Sequence, residues 1–460
     1  MFVRAASTAI ALAFVLGGAA AGAQSLSLNR TGSGARAAGM ANAFIAVSDD
    51  GTAASWNPAG LAPLRKPEFS LVYALGGQAQ RLSGLRSPDQ SFAFSNIDSS
   101  HADSSLDFAS AAVPFSLAGR PVTLQAGWHR LYQLGARRNG QVLRLPLGGA
   151  GAPATLLLDE TTRGHIDVAS VAGAVKVTAR LFLGASFDLI RGRWTDDTNL
   201  VETVATPSEG PLPRSDFAFT TSSNRIRGQG VTAGALLAYP SWNLGLVYHA
   251  PFWAPYRIRL DTRSSQTAPG SNELDDARFH FPRSMGAGVA WRPEPHWRLA
   301  LDLTHDQWTT LQVQLPGRVP ISVFDGLPEE FSSNRDTVSV NVGAERLFVR
   351  EGSVIPVRFG FAWEPQGGAD LATRDPLQFF MVAGGAGFNT NRFKFDAAVQ
   401  YRWADLQTSA RLSVAARLAG DLAFDALGRA RTQDWRVKVS AIYRLQDTDK
   451  LRGLLRRIFG

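Results

Sequence analysis

Over most of its length the chain alternates apolar and polar residues with a period of two. In RFKFDAAVQYRW (392–403), Phe393, Phe395, Ala397, Val399, Tyr401 and Trp403 share one face, while Arg392, Lys394, Asp396, Gln400 and Arg402 share the other. WRVKVSAIYRL (435–445) repeats the pattern. HWRLALDLTHDQW (296–308) sets Trp297, Leu299, Leu301 and Leu303 against Arg298, Asp302, Thr304 and Asp306. Successive side chains of a strand point to opposite faces, so these segments read as strands with an apolar outside and a polar inside. About fourteen can be counted, near 67–79, 104–115, 121–134, 163–177, 179–194, 225–239, 241–251, 279–292, 296–309, 334–348, 355–364, 376–388, 391–404 and 433–445. Tight turns alternate with long polar loops near 80–103, 135–162, 195–224, 252–278, 310–333, 365–375 and 405–432. That asymmetry predicts an all-β fold, a 14-stranded antiparallel transmembrane β-barrel. A soluble sandwich or propeller also alternates. The expected strands are longer than usual for those folds, their aromatics sit at strand ends, and no blade-length repeat occurs.

Composition narrows the class further. The chain has 460 residues, with 27 Phe, 11 Trp and 44 Gly but no Cys, so no disulfide staples it. After the N-terminus no run of about 18 apolar residues occurs, which excludes a membrane-spanning helix there. The net charge of +8 comes from basic residues scattered singly along strands, so nucleic-acid binding is not expected. Residues 1–23 carry Arg4, a short apolar stretch and a small-residue Ala21–Ala23 site, and are expected to be a signal peptide rather than a membrane anchor.

Residues 24–64 come before the first strand and do not alternate. They are small, polar and turn-rich, yet include Met40, Phe44, Ile45, Val47, Trp56, Leu61 and Leu64, which a solvated tail would not need. A barrel of fourteen strands has a lumen too wide for wall side chains to fill, so this segment is expected to plug it. Pro58 fixes its own φ and biases Asn57 toward extended backbone, defining one stiff corner at Asn57-Pro58-Ala59. Asp49 and Asp50 precede it and are expected to pair with basic wall residues, since isolated buried carboxylates are costly. The expected domains are therefore the signal peptide 1–23, a hatch 24–64, a barrel 65–445 and a tail 446–460.

Three stretches together resemble the FadL-type family of outer-membrane proteins (long-chain fatty acid transporter, OMPP1, TodX). They are Gly34–Ala43 with Asp49-Asp50 and Asn57-Pro58-Ala59, then FPRSMGAGVAWRPEPHWRLALDLTHDQWTTL (281–311), and VIPVRFGFAWEP (354–365). The resemblance implies a 14-stranded barrel closed by an N-terminal hatch that takes up hydrophobic molecules. It also implies a route of capture at an extracellular groove, transfer to a lumenal pocket, hatch rearrangement and lateral exit through the wall. The tail QDTDKLRGLLRRIFG (446–460) departs from barrels that stop at a terminal aromatic.

The expected gating residues are Asp49, Asp50, Asn57, Pro58 and Ala59. Ligand contacts are expected from Phe44, Trp56, Phe252, Trp253, Arg298, Arg358 and Lys394. The inward charges have a second reading, as ion pairs that stiffen the wall. APFWAPY (250–256) is expected to form an apolar capture groove in an extracellular loop, or else an interfacial aromatic belt. No G-x-S-x-G, P-loop, H-E-x-x-H or metal-spaced Cys/His set occurs, so no enzyme, cofactor or metal is expected. The expected function is hatch-gated passive uptake of long-chain fatty acids or hydrocarbons across a bacterial outer membrane. The alternatives are a PorV-like secretion scaffold and, more remotely, a barrel hydrolase. Expected partners are the hydrophobic substrate, outer-membrane lipid and lipopolysaccharide, and the barrel assembly machinery, with the chain as a monomer.

Overall fold

A computed structural model describes residues 32–86, 92–144, 154–204, 214–265, 267–370, 373–416 and 420–446. The expected signal peptide, the first residues of the expected hatch, and 447–460 lie outside the described residues. Sixteen wall segments follow one another: β1 (Glu68–Arg86), β2 (Ile97–Leu117), β3 (Arg120–Arg144), β4 (Ala154–Lys176), β5 (Leu181–Val204), β6 (Arg214–Ala238), β7 (Trp242–His249) and β8 (Phe252–Ser264), then β9 (Gly270–Phe281), β10 (Ser284–Trp291), β11 (Trp297–Asp306), β12 (Thr337–Arg350), β13 (Ser353–Trp363), β14 (Phe380–Asn389), β15 (Phe393–Ala416) and β16 (Gly420–Arg444). Consecutive segments pair antiparallel except β7 with β8 and β9 with β10, and β16 returns to β1 along Glu68↔Arg444 to Leu82↔Ala430, closing the sheet. Closure removes the unpaired edges that would otherwise template aggregation.

Two pairs of segments are single staves bent at proline. β7 runs on into β8 across Ala250-Pro251, and β9 into β10 across Pro282-Arg283. The bends face each other, since Phe252 pairs with Phe281 above them and His249 with Ser284 below. Proline cannot donate to a ladder, so both staves turn at the same level. The sixteen segments thus form a closed barrel of fourteen staves.

Outside, Phe69, Leu71, Leu301, Phe393, Phe395, Val399 and Trp435 are exposed and form an apolar girdle. Inside, the alternate residues Asp302, Asp306, Arg358, Asp396 and Lys438 are buried. No helix among the described residues is long and apolar enough to cross a membrane.

The structure corrects the strand lengths and the long loops. β3, β6 and β16 each have 25 residues and β5 has 24. Most of the loops expected at 135–162, 195–224, 252–278 and 405–432 is strand. The β5–β6 ladder, for example, is unbroken from Leu181↔Leu237 to Val204↔Arg214. These extensions rise beyond the apolar girdle, where both faces can be polar and backbone hydrogen bonds alone keep the hairpin. Within APFWAPY, residues 252–256 are likewise strand rather than loop, with Phe252 and Trp253 on opposite faces of β8.

Candidate functional site: the plugged lumen

The described part of the N-terminal segment folds inside the barrel as α1 (Ala35–Gly39) followed by two short 3-10 turns, Ala53–Ser55 and Pro58–Leu61. Nearly all of its apolar side chains are buried, Phe44 completely, and Phe44 meets Trp56 edge-on with centroids 5.7 Å apart. Its backbone touches the wall directly, because the wall offers glycines in facing pairs. Gly184 pairs with Gly234 beneath the Asn57-Pro58 corner, and Gly245 with Gly288 beneath Ile45-Ala46. Gly343 pairs with Gly360 beneath Met40-Ala41. A Cβ on Gly184 would lie 2.5 Å from the Ala59 nitrogen, so a larger residue there would displace the plug.

Asn57 fixes the corner. It is fully buried with extended backbone (φ −146°), and its Oδ1 accepts from the Ala59 N–H at 3.1 Å, capping the Pro58 turn. Its Nδ2 donates to the Ile45 carbonyl at 3.1 Å and to the Ala235 carbonyl of β6 at 3.0 Å. The corner is thereby tied both to the rest of the plug and to the wall.

A charge network secures the plug at the short-turn end. Arg36 of α1 bonds Asp49 at 2.5 Å, Asp50 at 3.3 Å and Glu345 of β12 at 3.1 Å. Glu345 also accepts from Arg298 at 3.2 Å and Arg358 at 2.8 Å, and Arg358 continues to Asp396 at 2.7 Å. Lys394 lies 3.9 Å from Glu68, whose other oxygen accepts from the Gly51 N–H at 2.7 Å. Burial pushes the Asp49 carboxyl up, but Arg36, Arg298 and Lys394 outweigh it and hold Asp49 well below the ordinary carboxylate range. Asp50 is lowered too: burial opposes ionisation, and Lys394 and Arg36 prevail. A cavity of about 760 Å³ opens beneath this network, lined by Arg36, Asp49, Arg298, Lys394 and Arg444 among others.

Above the plug the lumen changes character twice. First comes a polar pocket lined by Asn42, Trp56, His249, Ser284, Asp302 and Asn341 together with Asp306, Ser339 and Glu364. Asp302 of β11 binds the plug here, its Oδ2 accepting from the backbone N–H groups of Phe44 (2.5 Å) and Ile45 (2.7 Å). Next, beyond the proline bends, inward residues of β3 to β9, including Tyr132, Ile166, Ile190, Ile226, Tyr256 and Phe281, pack as a buried apolar cluster that fills this level of the lumen, here termed the apolar chamber. Phe252 stacks on Phe281 at 4.7 Å, and Trp194 stacks on Tyr256 at 5.6 Å. The Tyr256 hydroxyl donates to Asn224 at 2.6 Å, so the ring is held without an unpaired polar atom.

The wall carries one long interruption. β2 pairs with β3 from Phe108↔His129 to Leu117↔Arg120 and again from Asp98↔Asn139 to Ser100↔Arg137, but not between. Residues 101–107 and 130–136 thus border a seam. Register shifts place a bulge on each side, at Asp107 relative to β1 and at Leu131 relative to β4. The inner margin of the seam, Leu131, Tyr132 and Leu134, belongs to the apolar chamber. The ring of His101 sits in the seam against Gly135. Outside it lies a hollow of about 620 Å³ lined by His101, Ala136, Tyr401 and Trp435 among others. At its lower end Asp107 accepts from Lys438 at 2.8 Å and from Ser33 of the plug.

The structure therefore gathers Phe44, Asp49, Asp50, Trp56, Asn57, Pro58 and Ala59 in the plug, with Arg298, Arg358 and Lys394 beneath it in ion pairs. Phe252 faces the chamber, whereas Trp253 points outward and packs on His280 at 4.5 Å. Asp302 stood out in the sequence as one inward charge among several, and its alternation with Leu301 and Leu303 was the available signal. Ser339, Asn341 and the seam left no signal in composition.

These features define a class, a plugged fourteen-stave β-barrel. Among solved structures the fold is shared with a FadL homologue of Pseudomonas aeruginosa (TM-score 0.65, 15% identity, covering 91% of this chain and 99% of that one). It is shared with the toluene transporter TodX of P. putida (0.58, 14%, 91% and 100%) and with the monoaromatic hydrocarbon channel CymD (0.54, 13%, 92% and 100%). No protein-family model matches the chain, and neither does any curated protein.

Proposed function

We propose that the chain is an outer-membrane channel through which hydrophobic small molecules enter a cell by passive diffusion, with the N-terminal segment as its gate. The apolar girdle sets the barrel in a bilayer, with short turns toward the periplasm and long hairpins outward. Export by residues 1–23 and insertion by the barrel assembly machinery into a lipopolysaccharide-containing membrane belong to the same reading. The observation that supports it is the seam: its inner margin, Leu131, Tyr132 and Leu134, packs with the apolar chamber, and a hollow lies outside it with the His101 ring between. In this reading an apolar solute leaves sideways past His101 into the membrane, without crossing the charged layer under the plug. The solved neighbours are a toluene transporter and a monoaromatic hydrocarbon channel by name, which supports this substrate class. No catalytic role is assigned to any residue.

The test is transport in liposomes carrying the purified barrel. Uptake of radiolabelled toluene and of oleate is measured beside glucose. We expect at least one apolar probe to enter faster than in protein-free vesicles, with glucose unchanged. Glucose flux without apolar uptake would make the barrel a porin and end the reading.

A further inference from the structure

The polar pocket between plug and chamber is lined by three carboxylates, Asp302, Asp306 and Glu364, beside hydroxyls and amides that can donate as well as accept. Asp302 is 1% exposed and Ser339 3%, and among the described residues neither Asp302 Oδ1 nor Ser339 Oγ has a hydrogen-bond partner. Both line the pocket with two further carboxylates, Asp306 and Glu364. No Lys or Arg lines it. Arg402, the cation nearest to Glu364, stands 3.8 Å from it and is shared with Asp434 at 3.6 Å. Arg298, Arg358 and Lys394 are committed below the plug to Asp49, Glu345, Asp396 and Glu68. The cavity is about 40 Å³. A water needs roughly 10–15 Å³ of such space, so there is room for one small polar head group or a few waters.

We propose that this pocket takes the hydrogen-bond-donating head, a hydroxyl or a protonated amine, of an amphipathic substrate whose apolar body lies in the chamber above. The proposal rests on the uptake reading and names the substrate class for it. The order of the layers supports it, because His249 and Ser284 line the pocket while Phe252 and Phe281, just across the proline bends, line the chamber. A molecule lying along these two staves has its tail on rings and its head on Asp302 and Ser339. A carboxylate head would instead meet three carboxylates, with His249 the lining side chain able to carry positive charge. A plain hydrocarbon would leave the two buried acceptors unmet.

The pocket also touches the gate. The second oxygen of Asp302 holds the Phe44 and Ile45 amides, so a head group bound at Oδ1 shares its carboxylate with the plug. Occupancy is thereby communicated to the segment that must move.

The experiment uses the full barrel in lipid nanodiscs and measures calorimetric binding of dodecane, dodecanol, dodecylammonium and dodecanoate. Two variants are compared with the natural protein. Asp302→Asn keeps a carbonyl for the two plug amides and replaces the free acceptor by a donor. Ser339→Ala removes only the second free acceptor and leaves the plug contacts alone. We expect dodecanol or dodecylammonium to bind about tenfold more tightly than dodecanoate and dodecane, and both variants to erode that advantage. Loss confined to the ammonium in Asp302→Asn identifies an amine head, and comparable loss for the alcohol in Ser339→Ala identifies a hydroxyl. Dodecanoate binding as well as the alcohol, or an advantage unchanged in both variants, overturns the proposal while leaving a channel. Failure of all four compounds to bind overturns the proposal as well, and the uptake reading is then decided by the toluene and oleate flux.

Discussion

Asn57 shows how much one buried side chain can organise. Its amide satisfies the Ala59 N–H, the Ile45 carbonyl and the Ala235 carbonyl. Replacing it by Ala leaves all three without that partner in a place water reaches poorly, which should cost about 1–3 kcal/mol of plug docking per buried group left unmet. The barrel ladders do not involve Asn57, so Asn57→Ala should insert and resist heat like the parent. Single-channel recordings should show new or longer conducting events. Unchanged conductance together with unchanged apolar uptake would reduce the corner to a turn. The corner was legible in sequence because Asn-Pro has local backbone consequences. Its wall partners were not, since Gly184 and Gly234 matter through a backbone approach across more than a hundred positions of chain.

Elements read from the sequence differ in how well their boundaries could be found. Staves inside the girdle declare themselves by contrast, as β15 does with Phe393, Phe395 and Val399 opposite Lys394 and Asp396. Their extensions lack that contrast: 195–204 and 214–224 carry polar residues on both faces, yet pair without a break. The proline bends at Ala250-Pro251 and Pro282-Arg283 reveal themselves by residue type. The β2–β3 seam does not, because a bulge at Asp107 or Leu131 needs only one extra residue of any kind. If the seam is the exit, the His101 ring is its obstruction. His101→Ala should raise initial uptake of an apolar probe by about threefold or more, as a removed gate does when release is limiting. Ion conductance should stay at the parent level, since the plug remains seated. A rise in both would place the effect at the plug, and no change in either would mean that solute leaves elsewhere.

The whole molecule joins two bodies held by different physics. The wall is a ring of backbone ladders between Glu68 and Arg444, interrupted at the β2–β3 seam, and those backbone hydrogen bonds do not titrate. The plug lies against it through glycine contacts, two amides on Asp302, the Asn57 bonds and the Arg36 network. Two of these rest on carboxylates, Asp302 and the Arg36 network; within the network acid acts on Asp49 and Asp50. Arg36 faces Asp49, Asp50 and Glu345, while Asp49 also meets Arg298 at 3.6 Å. In the docked plug both aspartates lie below the ordinary carboxylate value of about 3.9 that they would regain on release. Docking is therefore fully supported above that value and weakens as pH falls through the lower docked values, the released form binding more protons. Hydrogen exchange followed by mass spectrometry, corrected for intrinsic exchange, should show protection of peptides from 35–64 declining as pH falls below about 4. Peptides from β5 and β6 should keep theirs throughout. Replacing Arg36 by Gln should remove much of that acid dependence and lower plug protection at neutral pH, because Asp49 and Asp50 then lose a shared cation. If plug protection falls between pH 8 and 5 in the parent, a group other than these carboxylates controls docking, and the Arg36 network is only a bystander.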